Sequence, residues 1–157
     1  MDMRPSKPVA ASRAEQVHII MPMDVNASFN LFGGQLMKWI DVVAAVVARR
    51  HAGSEVLTAA VDHLEFIGSA RLNDIVTLIG RITYVGRTSM EICVDSYVEH
   101  IGGESERLHV NRAYLTMVAI GADHKPRVVP SLDLQSDEER VDFDAGKQRR
   151  EARKNAH

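Results

Sequence analysis

The chain has 157 residues, of which 45% are hydrophobic and 25% are charged, and its formal net charge is −2. This length predicts one main domain with a sizeable core, and the near-neutral charge gives no indication of nucleic acid as a main partner. The single cysteine, Cys93, excludes an intramolecular disulfide and a cysteine-only zinc site. No secretory signal or membrane-spanning run is apparent. We expect a cytoplasmic protein with neither a nucleic-acid nor a membrane partner.

The first thirty residues predict little regular structure. Residues 1–14 hold two prolines and mixed charges, which favour a flexible N-terminal arm. Residues 15–21 favour a short strand that Pro22 ends. Residues 22–30 are rich in Asp, Asn, Ser and Pro and are therefore expected to form a loop.

A helix is predicted next, over residues 33–51, and Gly53 ends it. Its middle is apolar on every side, which predicts that the helix is buried on all sides. Two features do not suit a purely structural helix. It begins on the pair Gly33-Gly34, and it carries the carboxylate of Asp41, which is costly to bury unless something pairs with it or uses it.

The remainder of the main domain predicts strands. Residues 75–85, 89–101 and 107–120 are long β-rich runs, joined by a hairpin at 86–88 and a turn at Gly102-Gly-Glu-Ser105. Strands this long imply a strongly curved antiparallel sheet, and the apolar helix then belongs against its concave face. This α+β arrangement, a helix enclosed by one sheet, is the hot-dog fold.

Residues 56–67 are the first of these predicted strands. Polar and apolar side chains alternate from residue 61 onward, which predicts two opposite faces. One face is made by Val61, His63 and Glu65, and the other by Asp62, Leu64 and Phe66.

The composition changes at residue 136. Residues 136–157 carry acids first and bases last, which suits a helix dipole, with Ser136 as the N-cap. We therefore divide the chain into a flexible arm (1–14), a hot-dog domain (15–135) and a charged C-terminal helix (136–157). A lone copy would leave a sheet edge and part of the central helix open, so we expect at least a homodimer.

Asp41 is the first candidate for chemistry. Its carboxylate is either a structural group paired with a backbone group or a cation, or a general base or nucleophile in a dry cleft, where desolvation would strengthen it as a base. The Gly33-Gly34 pair also has two explanations. The junction needs unusual backbone angles, or free N–H groups at the helix start hold a carbonyl as an oxyanion hole.

Several other polar residues are each compatible with two roles. Asp24, Asn26 and Asn30 crowd the loop before the helix, where they either form turns or reach a cleft to position a carbonyl or water. Residues 86–89 carry one arginine and two hydroxyls and are either a solvated turn or a phosphate-binding set. The histidines show no paired metal spacing, so we predict no metal, and Cys93 is expected to pack rather than attack.

Several motifs, in order and spacing, resemble those of the hot-dog acyl-CoA thioesterases, specifically the bacterial acyl-CoA hydrolases similar to the brain-type enzyme. The resemblance covers residues 15–155. The motifs are Pro22-Met-Asp-Val-Asn26, Leu31-Phe-Gly-Gly34, Leu36-Met-Lys-Trp-Ile-Asp41, Ala48-Arg-Arg-His51, Thr58-Ala-Ala-Val-Asp-His-Leu-Glu-Phe66 and Gly86-Arg-Thr-Ser-Met-Glu91.

The resemblance implies hydrolysis of fatty acyl-CoA to a free acid and coenzyme A. It places the catalytic acid on Asp41 and the catalytic asparagine on Asn26, with each active site of a dimer drawing one from each protomer. The thioester carbonyl would lie at Gly34. It implies a trimer of dimers and no cofactor, since coenzyme A is part of the substrate. The residues expected to contact coenzyme A are Gly33, Asp62, His63, Arg87, Thr88 and Ser89.

The chain departs from the family pattern at two places. Family members often follow the helical acid with a second acid and a nearby glycine, which residues 42–45 lack. The usual proline-containing loop after Phe66 is here Ile67-Gly-Ser-Ala-Arg71. Both places lie near the expected path of the acyl tail, so the sequence leaves the preferred chain length open.

Two other functions remain compatible with the sequence. A hot-dog acyl-CoA hydratase or dehydratase would use the same fold, although such enzymes need a histidine close to the acid, and Val46 stands five residues beyond Asp41. A non-catalytic acyl-CoA sensor would bind the ester without turnover.

Overall fold

The computed structural model describes residues 2–103 and 106–156, so Glu104 and Ser105 of the predicted turn lie outside the described residues. Short 3₁₀ turns lie at Val9–Ala11 and Pro22–Asp24. The helices and strands of the described part are, in chain order, β1 Ser6–Pro8, β2 Ala14–Ile19, α1 Gly33–Ala52, β3 Glu55–Phe66, β4 Ile75–Val85, β5 Ser89–Glu99, β6 Leu108–Ile120, β7 Ser131–Asp133 and α2 Asp137–Asn155.

The main sheet has five antiparallel strands in the order β2-β4-β5-β6-β3. Helix α1 packs against β3, β4, β5 and β6, so the sheet encloses it and the predicted hot-dog fold is confirmed. The strand predicted at residues 75–85 matches β4 at both ends, and the other main strands agree within two residues. None of the helices in the described part combines the length and apolar character that crossing a bilayer requires.

The prediction that α1 is buried on all sides is wrong for the single chain. Asp41 and Lys38 are exposed, and the apolar side chains of Met37 and Val42 beside them are 40% and 43% exposed. One stripe of the helix forms the core with the concave face of the sheet. Its buried residues are Leu36, Trp39, Ile40, Val43, Ala44, Val47, Ala48, His51 and Ala52. The helix ends at Gly53, whose left-handed backbone (φ 69°) lets its N–H donate to the Arg49 carbonyl.

Strand β3 contains two irregularities that change which side chains face the helix. The register with β6 shifts between Thr58 and Ala60 and again between Asp62 and Glu65. A bulge inserts an extra residue and so shifts the alternation of faces. As a result Val61 and Leu64, predicted on opposite faces, line one cavity together, which corrects the predicted alternation.

Part of the N-terminal segment, expected to be a flexible arm, has secondary structure. Strand β1 pairs in parallel with β7, a short strand that the sequence did not reveal. The Arg4 guanidinium donates to the carbonyls of Gly86 at 2.8 Å and Val129 at 3.2 Å. The arm is therefore held against the β4–β5 turn by contacts between residues distant in the chain.

Helix α2 begins as predicted at Ser136, whose hydroxyl accepts a hydrogen bond from the Glu139 N–H at 3.1 Å. The Phe143 ring packs on Tyr84, with centroids 4.8 Å apart, and a side chain at Gly146 would collide with Tyr84 at 2.7 Å. The close approach at Gly146 lets α2 lie directly on the sheet.

Candidate active site

A cavity of about 340 Å³ lies between α1, β3 and β6. We call it the Asp41 cavity. It brings together the two features that distinguish α1 in the sequence, because Gly34 and Asp41 both line it although they lie two helical turns apart. The other lining residues are Met37, Lys38, Ile40, Thr58, Val61, Leu64 and Leu115.

The carboxylate of Asp41 is held by a hydroxyl from the neighbouring strand. Thr58 Oγ1 donates to Asp41 Oδ1 at 2.6 Å, and Thr58 is also 3.4 Å from the Met117 sulfur. This hydrogen bond fixes one carboxylate oxygen, and Oδ2 has no hydrogen-bond partner among the described residues. Thr58 is the residue that sequence reasoning missed, since nothing in the local pattern marks a strand hydroxyl as facing the helix.

The start of α1 offers hydrogen-bond donors to the cavity. Phe32 is the N-cap residue but makes no side-chain cap, and the N–H groups of Gly33 and Gly34 have no acceptor among the described residues. These donors point along the positive end of the helix dipole, the usual arrangement for holding an anion or a polarised carbonyl. Neither glycine has a positive φ, which removes unusual backbone angles as the reason for the pair.

The two glycines differ in the space around them. A Cβ atom on Gly34 would lie 2.6 Å from Cε1 of Phe32, so a side chain there would displace the ring. A Cβ atom on Gly33 would meet only the tip of Phe66, at 4.0 Å. A side chain at Gly34 would therefore push aside the exposed Phe32 ring, whereas Gly33 leaves an open notch beside the helix start.

The polar residues in the loop before α1 have different roles. Asp24 is buried and structural, because its carboxylate accepts from the Gln35 side chain at 3.0 Å and from the Met21 N–H at 2.9 Å. Asn26 Oδ1 accepts from the N–H groups of Ser28 at 2.9 Å and Asn30 at 3.2 Å. The exposed Asn26 is therefore oriented by its own loop, with its Nδ2 hydrogens left for another acceptor.

Within one chain, Asn26 does not line the Asp41 cavity. Neither do Arg87, Thr88 and Ser89, which form the turn between β4 and β5. Met117 pairs with both Thr58 and Met90, so the turn begins two strands away from Thr58, about 10 Å at the usual strand spacing.

The β4–β5 turn carries unpaired positive charge. Its backbone is fixed, since the Arg87 carbonyl accepts from the Val129 N–H and the Thr88 carbonyl from the Ala119 N–H. The guanidinium of Arg150, on α2, lies against Gly86. No carboxylate of residues 2–103 or 106–156 pairs with Arg87 or Arg150, so this turn presents two free cations beside the hydroxyl of Ser89.

Asp62 and His63, both predicted to contact coenzyme A, lie outside the Asp41 cavity in the single chain. Asp62 forms an ion pair with Arg153 of α2. His63 has a positive φ of 51° at the bulge in β3 and lines a separate surface cleft with Glu65 and Arg149. The geometry therefore does not bring these two residues to Asp41.

A network of charges joins the outer face of the sheet to α2. Asp95 is bonded by Arg112 at 2.7 Å, by His109 at 2.7 Å and by Arg81 at 3.1 Å. Burial alone would raise the pKa of Asp95, but the hydrogen bonds and positive charge of these partners outweigh it and lower the pKa. Arg81 also pairs with Asp142 of α2, so this network has a structural role.

Two other titratable groups are buried. Burial raises the pKa of the Cys93 thiol to about 11, as suits a packing residue rather than a nucleophile. Burial lowers the pKa of His51, whose Nε2 donates to the Pro130 carbonyl at 2.8 Å. In the described ranges, no three His, Cys, Asp or Glu side chains cluster in a way that could hold a metal ion.

Comparison with known proteins decides the family. The thioesterase superfamily model matches residues 30–105. YkhA of Bacillus subtilis (strain 168), described as an uncharacterized acyl-CoA thioester hydrolase, is 36% identical over 150 residues, which cover 96% of this chain and 83% of the relative. The chain belongs to the acyl-CoA thioester hydrolase family.

Solved structures of acyl-CoA thioester hydrolases superpose closely on this chain. An apo-hexameric acyl-CoA thioesterase has a TM-score of 0.92 and 37% identity, covering 97% of both chains. The acyl-CoA hydrolase of Staphylococcus aureus, as an asparagine-to-alanine variant in complex with coenzyme A, has a TM-score of 0.91 and 32% identity, covering 98% of this chain and 91% of that one. The same enzyme has been solved with butyryl coenzyme A and as aspartate-to-alanine and threonine-to-alanine variants.

Proposed function

We propose that this protein hydrolyses acyl-CoA thioesters to a free acid and coenzyme A, with Asp41 as the catalytic acid–base group. The observation that carries the proposal is the Asp41 cavity. It places a carboxylate fixed by Thr58 and the donor-rich start of α1 around the same space. Membership of the acyl-CoA thioester hydrolase family supports the thioester as the substrate.

The thioester carbonyl would lie at the start of α1. As water attacks the carbonyl carbon, negative charge develops on the carbonyl oxygen, and the N–H groups of Gly33 and Gly34 would stabilise it. The open space at Gly33, where a Cβ atom would meet only the tip of Phe66, leaves room for the approach. Collapse of the tetrahedral intermediate breaks the C–S bond and releases coenzyme A.

Asp41 would take the proton from the attacking water through Oδ2, the oxygen that Thr58 does not bond. The proton then passes to the departing thiolate, which leaves the carboxylate free for the next turnover. Direct attack by Asp41 on the carbonyl, through a mixed anhydride, is the alternative that the same geometry permits.

Asn26 would complete the site from a second copy of the chain. Because Asn26 Oδ1 already accepts two backbone hydrogen bonds, Nδ2 would donate to the carbonyl or to water. A spacing supports this assignment. In the S. aureus enzyme the substituted asparagine lies 15 residues before the aspartate and the threonine 17 residues after it, as Asn26 and Thr58 do about Asp41 here.

An oligomer is supported by the surface around Asp41. The outer edge of β3 has no partner strand within the described residues. Two exposed apolar side chains, Met37 and Val61, line the cavity and are 40% and 41% exposed. Val42 and Leu57, the chain neighbours of Asp41 and Thr58, are also exposed, at 43% and 60%. Pairing of two β3 edges would cover these side chains and dry the cavity. The hexameric relative supports a trimer of such dimers.

The nucleotide end of coenzyme A would bind at the β4–β5 turn. Arg87 and Arg150 supply charge without competing carboxylates, and Thr88 and Ser89 supply hydroxyl donors for phosphate oxygens. Asp62 receives no such support, because it already pairs with Arg153. A hydratase is disfavoured because no histidine of the described part lines the Asp41 cavity.

The decisive experiment measures thiol release from acyl-CoA substrates by the wild type and by Asp41→Asn. The asparagine keeps the shape of the side chain and an acceptor for Thr58, so the oligomer and its melting temperature should persist. The rate should fall about 100-fold or more, since the general base is lost. Near-wild-type turnover by this variant would refute the role of Asp41.

The control for Asp41→Asn is Asp62→Asn, which removes a carboxylate from β3, the strand that packs against α1. This variant should hydrolyse acyl-CoA at close to the wild-type rate. In Asn26→Ala, kcat should fall more than binding weakens, and an unchanged kcat would leave Asn26 as a turn former only. Hydration of crotonyl-CoA without thiol release would instead identify a hydratase.

A further inference from the structure

A second cavity lies at the N-terminal end of α1. We call it the Leu36 cavity. Its volume is about 190 Å³, and the loop after β3, at residues 67–70, closes one side of it. Most of the residues that line it are apolar, and they include Leu36, Phe66, Gly68, Val76, Val98 and Val110.

The Leu36 cavity adjoins the Asp41 cavity. On the buried stripe of α1, Ile40 lines the Asp41 cavity, and Leu36, one helical turn before it, lines the Leu36 cavity. On β3, Leu64 lines the Asp41 cavity, and Phe66, two residues later, lines the Leu36 cavity. Both steps correspond to about 6–7 Å.

The junction of the two cavities coincides with the helix start. A Cβ atom on Gly33 would lie 4.0 Å from the tip of the Phe66 ring, and Phe66 lines the Leu36 cavity. Gly34, the next residue, lines the Asp41 cavity. A carbonyl held at these two N–H groups therefore has the carboxylate on one side and the Leu36 cavity on the other.

The floor of the Leu36 cavity is rigid and apolar. Val76 and Val98 pair across the neighbouring strands β4 and β5, and both are fully buried. Val110 of β6 is also buried, and Gly68 packs so closely on it that a Cβ atom there would lie 3.2 Å from the Val110 side chain. The interior strands of a five-stranded sheet are closely packed and cannot move away to enlarge the cavity, so the floor limits the depth of the cavity.

The size of the cavity suits a short aliphatic chain. An apolar cavity of about 150 Å³ stays dry and binds a benzene ring, which has six carbons. At about 190 Å³ the Leu36 cavity accommodates about six to eight carbons on the same scale. Burial of each methylene is worth about 0.8 kcal/mol, which corresponds to a roughly fourfold gain per carbon until the space is filled.

We propose that the Leu36 cavity receives the acyl chain of the substrate and that its valine floor sets the upper limit of chain length. This inference rests on the proposed function, since it takes the helix start as the site of the thioester carbonyl. Chains of up to about six to eight carbons gain from entering the cavity, and longer chains have to leave it or bend.

The test compares Val98→Ala with Val94→Ala. Both valines are fully buried on β5, four residues apart and therefore on the same face, but only Val98 lines the cavity. Thiol release is measured with saturated acyl-CoAs from two to sixteen carbons. In the wild type and Val94→Ala, kcat/KM should rise about fourfold per methylene to a maximum near six to eight carbons. In Val98→Ala the maximum should move to a longer chain by one or two carbons.

A binding series separates this inference from the proposed function. Affinities of S-alkyl-CoA thioethers, which are not hydrolysed, are measured for the same three proteins by calorimetry. A length optimum that moves only in Val98→Ala supports the cavity even if no ester is hydrolysed. Hydrolysis with a profile that Val98→Ala and Val94→Ala leave equally unchanged would overturn the cavity assignment while the proposed function stands. A length-independent affinity together with no hydrolysis would overturn both.

Discussion

The hydroxyl of Thr58 donates a 2.6 Å hydrogen bond to Asp41 Oδ1, across the contact between β3 and α1. The two residues are 17 positions apart in the chain, and the bond exists only because the helix packs on the sheet. It occupies one carboxylate oxygen, and Oδ2 makes no hydrogen bond to the described residues. Thr58 is therefore a positioning residue for Asp41, and its effect should appear in the chemical step.

Replacement of Thr58 by valine removes the donor and keeps the β-branched shape. We expect kcat for acyl-CoA hydrolysis to fall roughly 10- to 100-fold with little change in KM, since a misoriented catalytic group loses its alignment rather than substrate binding. Thr58→Ser retains the hydroxyl and should recover most of the rate. A serine variant as slow as the valine variant would contradict the hydrogen-bonding role.

The two glycines at the helix start should respond differently to alanine. Gly34→Ala places a Cβ atom 2.6 Å from the Phe32 ring, so we expect the ring to move and hydrolysis to fall roughly tenfold or more. Gly33→Ala has room and gains helix propensity, so its melting temperature should be maintained or rise. Thermal melting and steady-state rates of the pair provide the measurement. Equal losses in both variants would argue against the steric difference.

Removal of the Asp95 carboxylate should lower the free energy of unfolding more than removal of any other carboxylate on the outer face of the sheet. Asp95→Asn leaves Arg112 without a carboxylate partner and Arg81 with Asp142 alone. We expect the free energy of unfolding to fall by about 2–4 kcal/mol, discounted because Arg112 is 42% exposed. Asp142→Asn, which breaks a more exposed pair, should cost less than about 1 kcal/mol. Urea unfolding of both variants at pH 7 measures the difference.

The acid dependence of the same variants gives an independent check. The pKa of Asp95 is lower in the folded state, so its contribution is present above the unfolded value near 3.8 and is lost as pH falls through the folded pKa. The stability gap between wild type and Asp95→Asn should therefore narrow below about pH 4. A gap that stays constant there would show that the loss is due to packing.

His51 should also make the stability of the fold depend on pH, at higher pH than Asp95 does. Burial lowers its pKa below 6.5, so the unfolded chain binds a proton more readily and stability falls as pH drops below about 6.5. Nearby Lys7 and Arg4 act in the same direction. His51→Gln, which retains a donor for the Pro130 carbonyl, should lose less melting temperature between pH 7.5 and 5.5 than the wild type. Parallel pH curves would refute the assignment.

Cys93 should be unreactive in the folded protein. It is fully buried on β5, and burial raises the pKa of its thiol to about 11, so little thiolate forms at neutral pH. A thiol reagent should label it slowly in buffer and rapidly in urea. Stoichiometric labelling of the native protein within minutes would contradict this.

The elements of the fold could be predicted well from the sequence. Residues 75–85 show why, since their β-rich run is bounded by turn residues and becomes β4 without a change at either end. Ser136 at the start of α2 is a similar local signal. The expected flexible arm shows the limit, because β1 acquires structure only by pairing with β7, more than a hundred residues later.

The candidate site was predicted in part. Asp41 and Gly34 could be singled out as anomalies within an apolar helix, and the structure places both in one cavity. The alternation predicted for residues 61–66 was wrong because the bulge between Asp62 and Glu65 changes which side chains share a face of the strand. A bulge cannot be predicted from a local two-residue period. The burial predicted around Asp41 was also wrong for one chain, where that side of α1 stays open.

The sequence by itself determined the order of the two helices and of the five main-sheet strands along the chain, the hot-dog arrangement and the two unusual features of α1, because periodicity, turn residues and an isolated charge are local properties of the chain. Only the tertiary structure decided that Thr58 holds Asp41, that Asp62 turns away to Arg153, and that a valine-floored cavity adjoins the helix start. These relationships join side chains from different strands and helices, and their geometry follows from packing and bulges that no single segment encodes.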